Sequence, residues 1–233
     1  YQTNSSRLLG FSLSELSDDF NFISGYFYTL TESCDCREIK LGIGICTFKR
    51  EKHLLHNLDL FQKNILQNPE SVLFNNLDIY VADNGNSVKD ILDENNINLG
   101  RHIHLFHNIN AGGSAGFTRC IIEFLRKEPP PTHILLMDDD VSFETESIER
   151  TASFLSLIKN EYKSDIIGGA MLKEEEPVIQ FESGAKWSLM HYDSPQLLGS
   201  NLDLTEKQNI KNNLNNLSAN YNAWFYCCFP TKT

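Results

Sequence analysis

Three consecutive aspartates, Asp138, Asp139 and Asp140, directly follow the apolar run Leu135-Leu136-Met137. Adjacent carboxylates at the end of a buried strand repel one another unless something positive sits among them. Asp138 and Asp140 are two positions apart, so in extended backbone their side chains point the same way. Two oxygen ligands on one side suit a hard divalent cation, Mn2+ or Mg2+, with coordination positions left for a diphosphate. Asp139 then faces elsewhere, toward a sugar hydroxyl or Arg119. The plainer alternative is a solvated acidic turn.

Three other clusters carry groups of the matching kind. In Cys46-Thr47-Phe48-Lys49-Arg50 a hydroxyl and two cations suit a phosphate or the edge of a nucleobase; a helix-capping Thr and solvated cations are the alternative. In Val81-Ala82-Asp83-Asn84-Gly85 the carboxylate suits a base N–H or a ribose hydroxyl, or else bonds its own turn. In Asn108-Ile109-Asn110-Ala111-Gly112-Gly113-Ser114-Ala115-Gly116-Phe117-Thr118-Arg119 glycines let backbone approach a ligand, and the following helix aims N–H groups at an anion. Arg119, in that helix's first turns, suits phosphate neutralisation. A dinucleotide fingerprint fits poorly, because Gly112, Gly113 and Gly116 do not space as G-x-G-x-x-G and follow a third strand rather than a first.

These clusters need elements to position them. Ile39–Cys46 reads as a buried strand and Arg50–Leu66 as a helix. Leu77–Ala82 reads as a second strand ending in the turn Asp83-Asn84-Gly85-Asn86, with Ser87 capping a helix through Leu92. His102–Phe106 is a third strand, Ser114–Lys127 a helix stopped by Pro129-Pro130-Pro131, and His133–Met137 a fourth strand. This alternation predicts an α/β fold with a mostly parallel sheet and helices on both faces, which binds ligands beyond the carboxyl ends of its strands. All four clusters fall there. Residues 1–36 lack the alternation; Phe20, Phe22, Tyr26, Phe27 and Tyr28 suggest the tail of a preceding β-rich domain, or an extension packed on the main one.

The composition narrows the classes further. The chain has 233 residues, with 20 Lys+Arg against 31 Asp+Glu and a formal net charge of −11. Hydrophobic residues make up 41%, which excludes a disordered chain. The acidic balance argues against nucleic-acid binding, which needs clustered cations. It also means that an anionic ligand needs local Arg or a metal ion to reverse the field. The apolar run Ile134–Met137 is far short of the roughly 20 residues that span a bilayer. No signal peptide is visible, and Tyr1 and Thr233 both look like cut ends. Cys34, Cys36, Cys46, Cys120, Cys227 and Cys228 fit neither a zinc site nor a regular disulfide framework, so reduced thiols in a cytoplasmic protein are expected.

In order, T-F-K-R, V-A-D-N-G, N-x-G-G-S-A-G-F-T-R and D-D-D resemble a family 2 glycosyltransferase of the GT-A fold. More narrowly they are similar to the polymerising galactofuranosyltransferases, which transfer galactofuranose from a UDP-sugar. Tyr221–Pro230 is similar to an aromatic strand in those enzymes, and the resemblance covers about residues 37–233. It implies that Thr47 and Arg50 contact the nucleotide, that Asp83 meets the uracil, and that Asn110 lies near the diphosphate beside the Gly113 loop and Arg119. It further implies a metal on Asp138 and Asp140, Asp139 touching the donor, Glu182 on the donor or acceptor side, and Trp187 and Trp224 as sugar platforms. The family's general base and a metal-binding histidine follow the aromatic strand, whereas here Thr233 comes three residues after Pro230. This sequence alone is therefore expected to bind UDP and metal weakly without turnover. The expected partners are a UDP-sugar and a glycan or lipid-linked glycan acceptor. The expected location is cytoplasmic, peripheral to the inner face of the membrane. A sugar-phosphate nucleotidyltransferase and a non-catalytic nucleotide- or glycan-binding module are the rival readings.

Overall fold

The computed structural model describes residues 20–23, 30–32, 36–188, 194–215 and 219–232. Most of the aromatic stretch expected to end a preceding domain lies outside the described residues. Residues 20–23 within it are not in a strand. The chain divides into two compact units, one of Cys36–Ala170 with Tyr221–Thr233, the other containing Met171–Asn220.

In the first unit the elements are β1 (Leu41–Thr47), α1 (Glu51–Phe61), β2 (Leu77–Asp83), α2 (Val88–Glu94), β3 (Ile103–His107), α3 (Gly113–Arg126), β4 (His133–Asp138), α4 (Thr145–Leu157) and β5 (Ile167–Gly168). The second unit supplies β6 (Met171–Leu172), β7 (Ile179–Glu182), β8 (Ala185–Lys186), β9 (Gln196–Leu197), β10 (Leu202–Asp203) and α5 (Lys207–Asn215), after which β11 (Tyr226–Pro230) returns to the first. The first unit's sheet has the order β3-β2-β1-β4-β11-β5, with β1 to β4 parallel and β11 antiparallel to both of its neighbours. The expected mostly parallel α/β sheet flanked by helices is borne out. One expected helix differs: Arg50–Leu66 is an α-helix to Phe61 followed by a wider π-helical turn, Gln62–Leu66.

Each element follows from its side chains. Apart from half-buried Cys46, β1 is buried along its whole length, as a central parallel strand covered on both faces must be. Its pattern Leu-Gly-Ile-Gly-Ile-Cys alternates large and small. A Cβ added at Gly42 would fall 2.6 Å from the Phe124 ring, and one at Gly44 would fall 3.0 Å from Cys120. The third contact reverses the sizes, since a Cβ at Gly116 would fall 2.9 Å from that of Cys46 and nearer still to its sulfur. Positions 42, 44 and 46 share one face of a strand, while 116, 120 and 124 share one face of a helix. α3 therefore interlocks with β1 three times, large against small. Phe124 also stacks on Tyr80 with ring centroids 3.9 Å apart, in a cluster with Ala82, Phe117, Ile134 and Leu136. Helix α1 buries Leu54, Asn57, Leu58 and Phe61, the i, i+3, i+4, i+7 stripe of an amphipathic helix.

The second unit, Met171–Asn220, holds a three-stranded antiparallel sheet, β10-β7-β6, and the short ladder β8-β9. Gln180 is its buried polar anchor: its amide donates to Gly199 O at 2.8 Å and its carbonyl accepts from Asn213 at 2.9 Å. Gly199, at φ 60°, is in the left-handed conformation and leaves no room for a Cβ beside Gln180 and Asn213.

The interlock makes a sharp prediction. Alanine inside a helix ordinarily gains about 1 kcal/mol over glycine. Gly116→Ala should instead lose about 1–3 kcal/mol, because it overpacks against Cys46. Urea denaturation of Gly116→Ala, Cys46→Gly and the double variant should show positive coupling. Additive effects would mean that the helix and strand do not interlock there.

Candidate functional site

The parallel registers align the carboxyl ends of four strands. Thr47 pairs with Asp83, Asp83 with His107, and Cys46 with Asp138. Tyr226 lies opposite Met137 in the antiparallel strand, so the segment carrying Trp224 reaches the same edge. The chain runs from β1 outward to β2 and β3, then crosses back to place β4 on the other side of β1. Such a reversal opens a crevice between the two strands that flank it, here β1 and β4. The aspartate triplet stands at that point.

The triplet is not extended. β4 ends at Asp138 and the chain turns through Asp139 and Asp140, so the alternation that would have set Asp138 and Asp140 on one side stops. Asp139 turns inward and is 6% exposed, accepting a 2.6 Å hydrogen bond from the Thr47 hydroxyl. Thr47 is 1% exposed, and its hydroxyl bonds Asp139. Asp139 meets Thr47 and Arg50, while Arg119, one of the two partners expected for it, lies beside Glu123. The Arg50 guanidinium lies 4.0 Å from Asp139 and is ion-paired with Asp140. It gets there because the chain turns sharply after β1, with Lys49 in the left-handed conformation at φ 55°. Beneath the turn, buried Asn57 donates to the carbonyls of Asp139 at 3.1 Å and Val141 at 3.0 Å.

At the end of β2, Asp83 is fully buried. Its two oxygens accept from the N–H groups of Gly85 and Val88, each at 2.9 Å. It thereby satisfies an otherwise unbonded donor at the start of α2, the role expected of Ser87. The Ser87 hydroxyl bonds Glu51 instead and caps nothing. Asn84, 5% exposed, reaches the glycine loop by donating to Gly112 O at 3.2 Å. Asn110 is exposed and accepts from Gly112 N at 3.2 Å; Gly113 is exposed and opens α3. Arg119 is held beside Glu123 at 2.9 Å and over the Phe106 ring at 5.5 Å. It lines a shallow depression of about 360 Å³ with Asn108, Ser114, Ala115, Thr118 and Ile122. Trp224, 40% exposed, meets Phe117 of α3 edge to face at 5.5 Å. Glu182 and Trp187 belong to the second unit. There Glu182 ends β7, buried, with its carboxyl pushed up by that burial, and Trp187 is 43% exposed.

Charge is crowded at this edge. Burial, with Asp139 nearby, raises the Asp138 carboxyl above its ordinary range, against the opposing pull of Arg50. Burial and the surrounding Asp139, Asp138 and Asp83 push the Cys46 thiol up to about 11, so it is a neutral packing group and not a nucleophile. The donor set, Asp138 and Asp140, is all carboxylate oxygen and suits Mg2+ or Mn2+. Among the described residues no group of three or more His, Cys, Asp or Glu side chains converges on a metal position.

Sequence reasoning passed over Asn57, Asn84 and Asn108. For Asn57 there was a signal, an amide in the apolar stripe of α1. Asn84 read as part of a turn, and Asn108 only as the start of the glycine-loop run.

No family model matches the chain. It is similar to galactofuranosyltransferase GlfT2 of Mycolicibacterium smegmatis, 27% identical over 143 residues, which is 58% of this chain and 22% of that protein. Galactofuranosyltransferase GlfT2 of Mycobacterium tuberculosis is 28% identical over 142 residues, with the same two coverages. The chain thus spans about a fifth of the curated relatives it matches. Among solved structures, the mannosyltransferase PcManGT from Pyrobaculum calidifontis in complex with GDP-Man and Mn2+ superposes with a TM-score of 0.43 at 10% identity, covering 60% of this chain and 37% of that one. A crystal structure of S. aureus TarS 1–349 gives a TM-score of 0.41 at 15% identity, covering 70% and 43%.

The Thr47–Asp139 bond is open to test. Thr47→Val keeps the shape but leaves a buried carboxylate without its donor, a loss of about 1–3 kcal/mol. Thr47→Ser should keep most of the stability. Equal stability of all three proteins in denaturant titrations would remove the bond from its structural role.

Proposed function

We propose that the first unit is the donor-binding part of a GT-A-type glycosyltransferase that uses a UDP-sugar. The observation that carries this reading is the aspartate triplet knitted to Thr47 and Arg50 where the connectivity reverses between β1 and β4. The similarity to galactofuranosyltransferases supports it and favours galactofuranose as the sugar, with a glycan or lipid-linked glycan as acceptor.

In this reading Arg50, Arg119 and the free N–H groups opening α3 face the diphosphate, and Asn110 and Gly113 border it. Charge-assisted hydrogen bonds of this kind stabilise a departing anion most where water is excluded. Asp138 and Asp140 would hold Mn2+ or Mg2+, which as a Lewis acid would offset the negative charge developing on the leaving group. Asp139 acts through position: buried against Thr47, it fixes the turn that presents its two neighbours. Asp83 likewise shapes the base-side wall by bonding the β2–α2 turn, leaving any contact with uracil to its remaining lone pairs. Trp224 offers a partly exposed ring beside α3 for the sugar. Glu182 and Trp187 are proposed for the donor or acceptor side. The acceptor hydroxyl attacks the anomeric carbon opposite the diphosphate; the bond to the diphosphate oxygen breaks as the new one forms, UDP leaves and the centre inverts. The hydroxyl proton passes to a general base, the group that the resemblance puts after the aromatic strand. We place the reaction at the cytoplasmic face; among the described residues no helix is long and apolar enough to cross a membrane.

Titration calorimetry with UDP, with and without Mn2+, tests the reading. Binding should require the metal, and Asp138→Ala and Asp140→Ala should each weaken it at least tenfold, about 1.4 kcal/mol. Arg50→Met should weaken UDP binding similarly. Glycan binding without any metal requirement, and no UDP binding, would point to a carbohydrate-binding module instead.

A further inference from the structure

Asn84 joins more of the strand ends than any residue singled out for ligand binding. It is 5% exposed, and each polar atom of its side chain has a partner. The amide nitrogen donates to Gly112 O at 3.2 Å and to Cys46 Sγ at 3.4 Å. The amide oxygen accepts from Asn108 Nδ2 at 2.7 Å, and the backbone N–H donates to Thr47 O at 2.9 Å. One residue at the end of β2 is thus bonded to the end of β1, to the loop after β3 and to the residue preceding α3.

The bond to Gly112 has a specific consequence. Gly112, at φ 84°, is the capping residue of α3 and has no side chain with which to cap it. Its carbonyl accepts the helix's first hydrogen bond, from Gly116 N at 3.3 Å. Asn84 holds that same carbonyl. It therefore fixes the point at which the helix begins, and with it the direction of the N–H groups of Gly113, Ser114 and Ala115, which have no partner within the helix. Gly116 follows one turn later and presses on Cys46, the other acceptor of the Asn84 amide.

We propose that Asn84 is a positioning residue: it clamps the glycine loop to the ends of β1 and β2, so that the opening turn of α3 is preset to receive the diphosphate. The ligand half of this inference rests on the donor reading above; the clamp itself does not.

Asn84→Asp keeps the size and the acceptor oxygen but removes both donated bonds. Asn108→Ala removes the bond to the amide oxygen from the partner side and leaves Asn84 in place. Hydrogen exchange should quicken at least fivefold in Asn84→Asp at the amides of Gly116–Thr118, and less in Asn108→Ala, with the β1 and β4 peptides unchanged. UDP affinity in the presence of Mn2+ should fall at least tenfold in Asn84→Asp. Unaltered exchange at Gly116–Thr118 in Asn108→Ala and in any folded Asn84→Asp protein would overturn the clamp. So would exchange that quickens across the whole sheet in step with a lower thermal midpoint, the mark of an ordinary core residue. Should the parent protein bind no UDP, the donor reading fails, while local exchange still decides the clamp. If Asn84→Asp does not fold, the exchange of Asn108→Ala decides alone.

Discussion

The hydrogen bond from Thr47 to Asp139 joins the ends of the two central strands at the point where the sheet's connectivity reverses. It is short, buried at both ends, and made to a charged acceptor. A buried carboxylate is costly unless its lone pairs are taken up. Thr47 takes up one side of Asp139, and Arg50 approaches the other. With the middle aspartate held inward, the chain has to turn after Asp138. That turn leaves the outer two less buried, and Asn57 secures its carbonyls from below. The arrangement of the whole edge depends on which of three identical residues is buried.

The sheet was legible in the sequence because its strands are uniformly apolar and regularly spaced between helical stripes. Leu77–Ala82 and His133–Met137 were each one residue short of the strand observed, and the placing of the four clusters beyond the strands followed from the α/β pattern. Details inside the clusters were not legible, for one physical reason: periodicity describes regular backbone, and the chemistry lies where the backbone stops being regular. Asp138 and Asp140 were assigned to one side by strand alternation, but the strand ends at Asp138. Ser87 stands at the capping position by sequence; Asp83, several residues earlier, reaches the Val88 N–H instead. The small residues of β1 looked like a neutral feature of an apolar run. Their meaning appears only when Phe124 and Cys120 are seen to fill the spaces they leave.

The strand-end edge is acidic, as is the chain with its formal charge of −11, so an anion there needs that field offset. The acidic groups nearest the crevice are not free to repel a ligand equally. Asp83 accepts hydrogen bonds from two backbone N–H groups, Asp139 from a hydroxyl with a guanidinium nearby, and Asp140 is ion-paired with Arg50. Asp138 is the carboxylate whose ionisation burial opposes. A cation placed there would relieve that opposition and supply the positive field that a diphosphate needs.

The groups at the edge also differ in how firmly they are held, and the difference follows their burial. Thr47, Asn57, Asp83, Asn84 and Asp139 are buried, and each has partners that fix its orientation. Arg50, Asp140, Asn110, Gly113 and Arg119 are exposed or half-exposed; the ion pairs of Arg50, Asp140 and Arg119 are of the kind that solvent weakens and a ligand can exchange. An exposed ion pair such as Arg50–Asp140 gives up little when a phosphate replaces the carboxylate as the partner of the guanidinium. A buried hydrogen bond such as Thr47–Asp139 would give up a great deal. The rigid bonds therefore lie among residues that hold the backbone, and the exchangeable ones among residues that the proposed reading turns toward the ligand. A preorganised anion site requires that division, because directed donors gain over water only when the frame beneath them does not move.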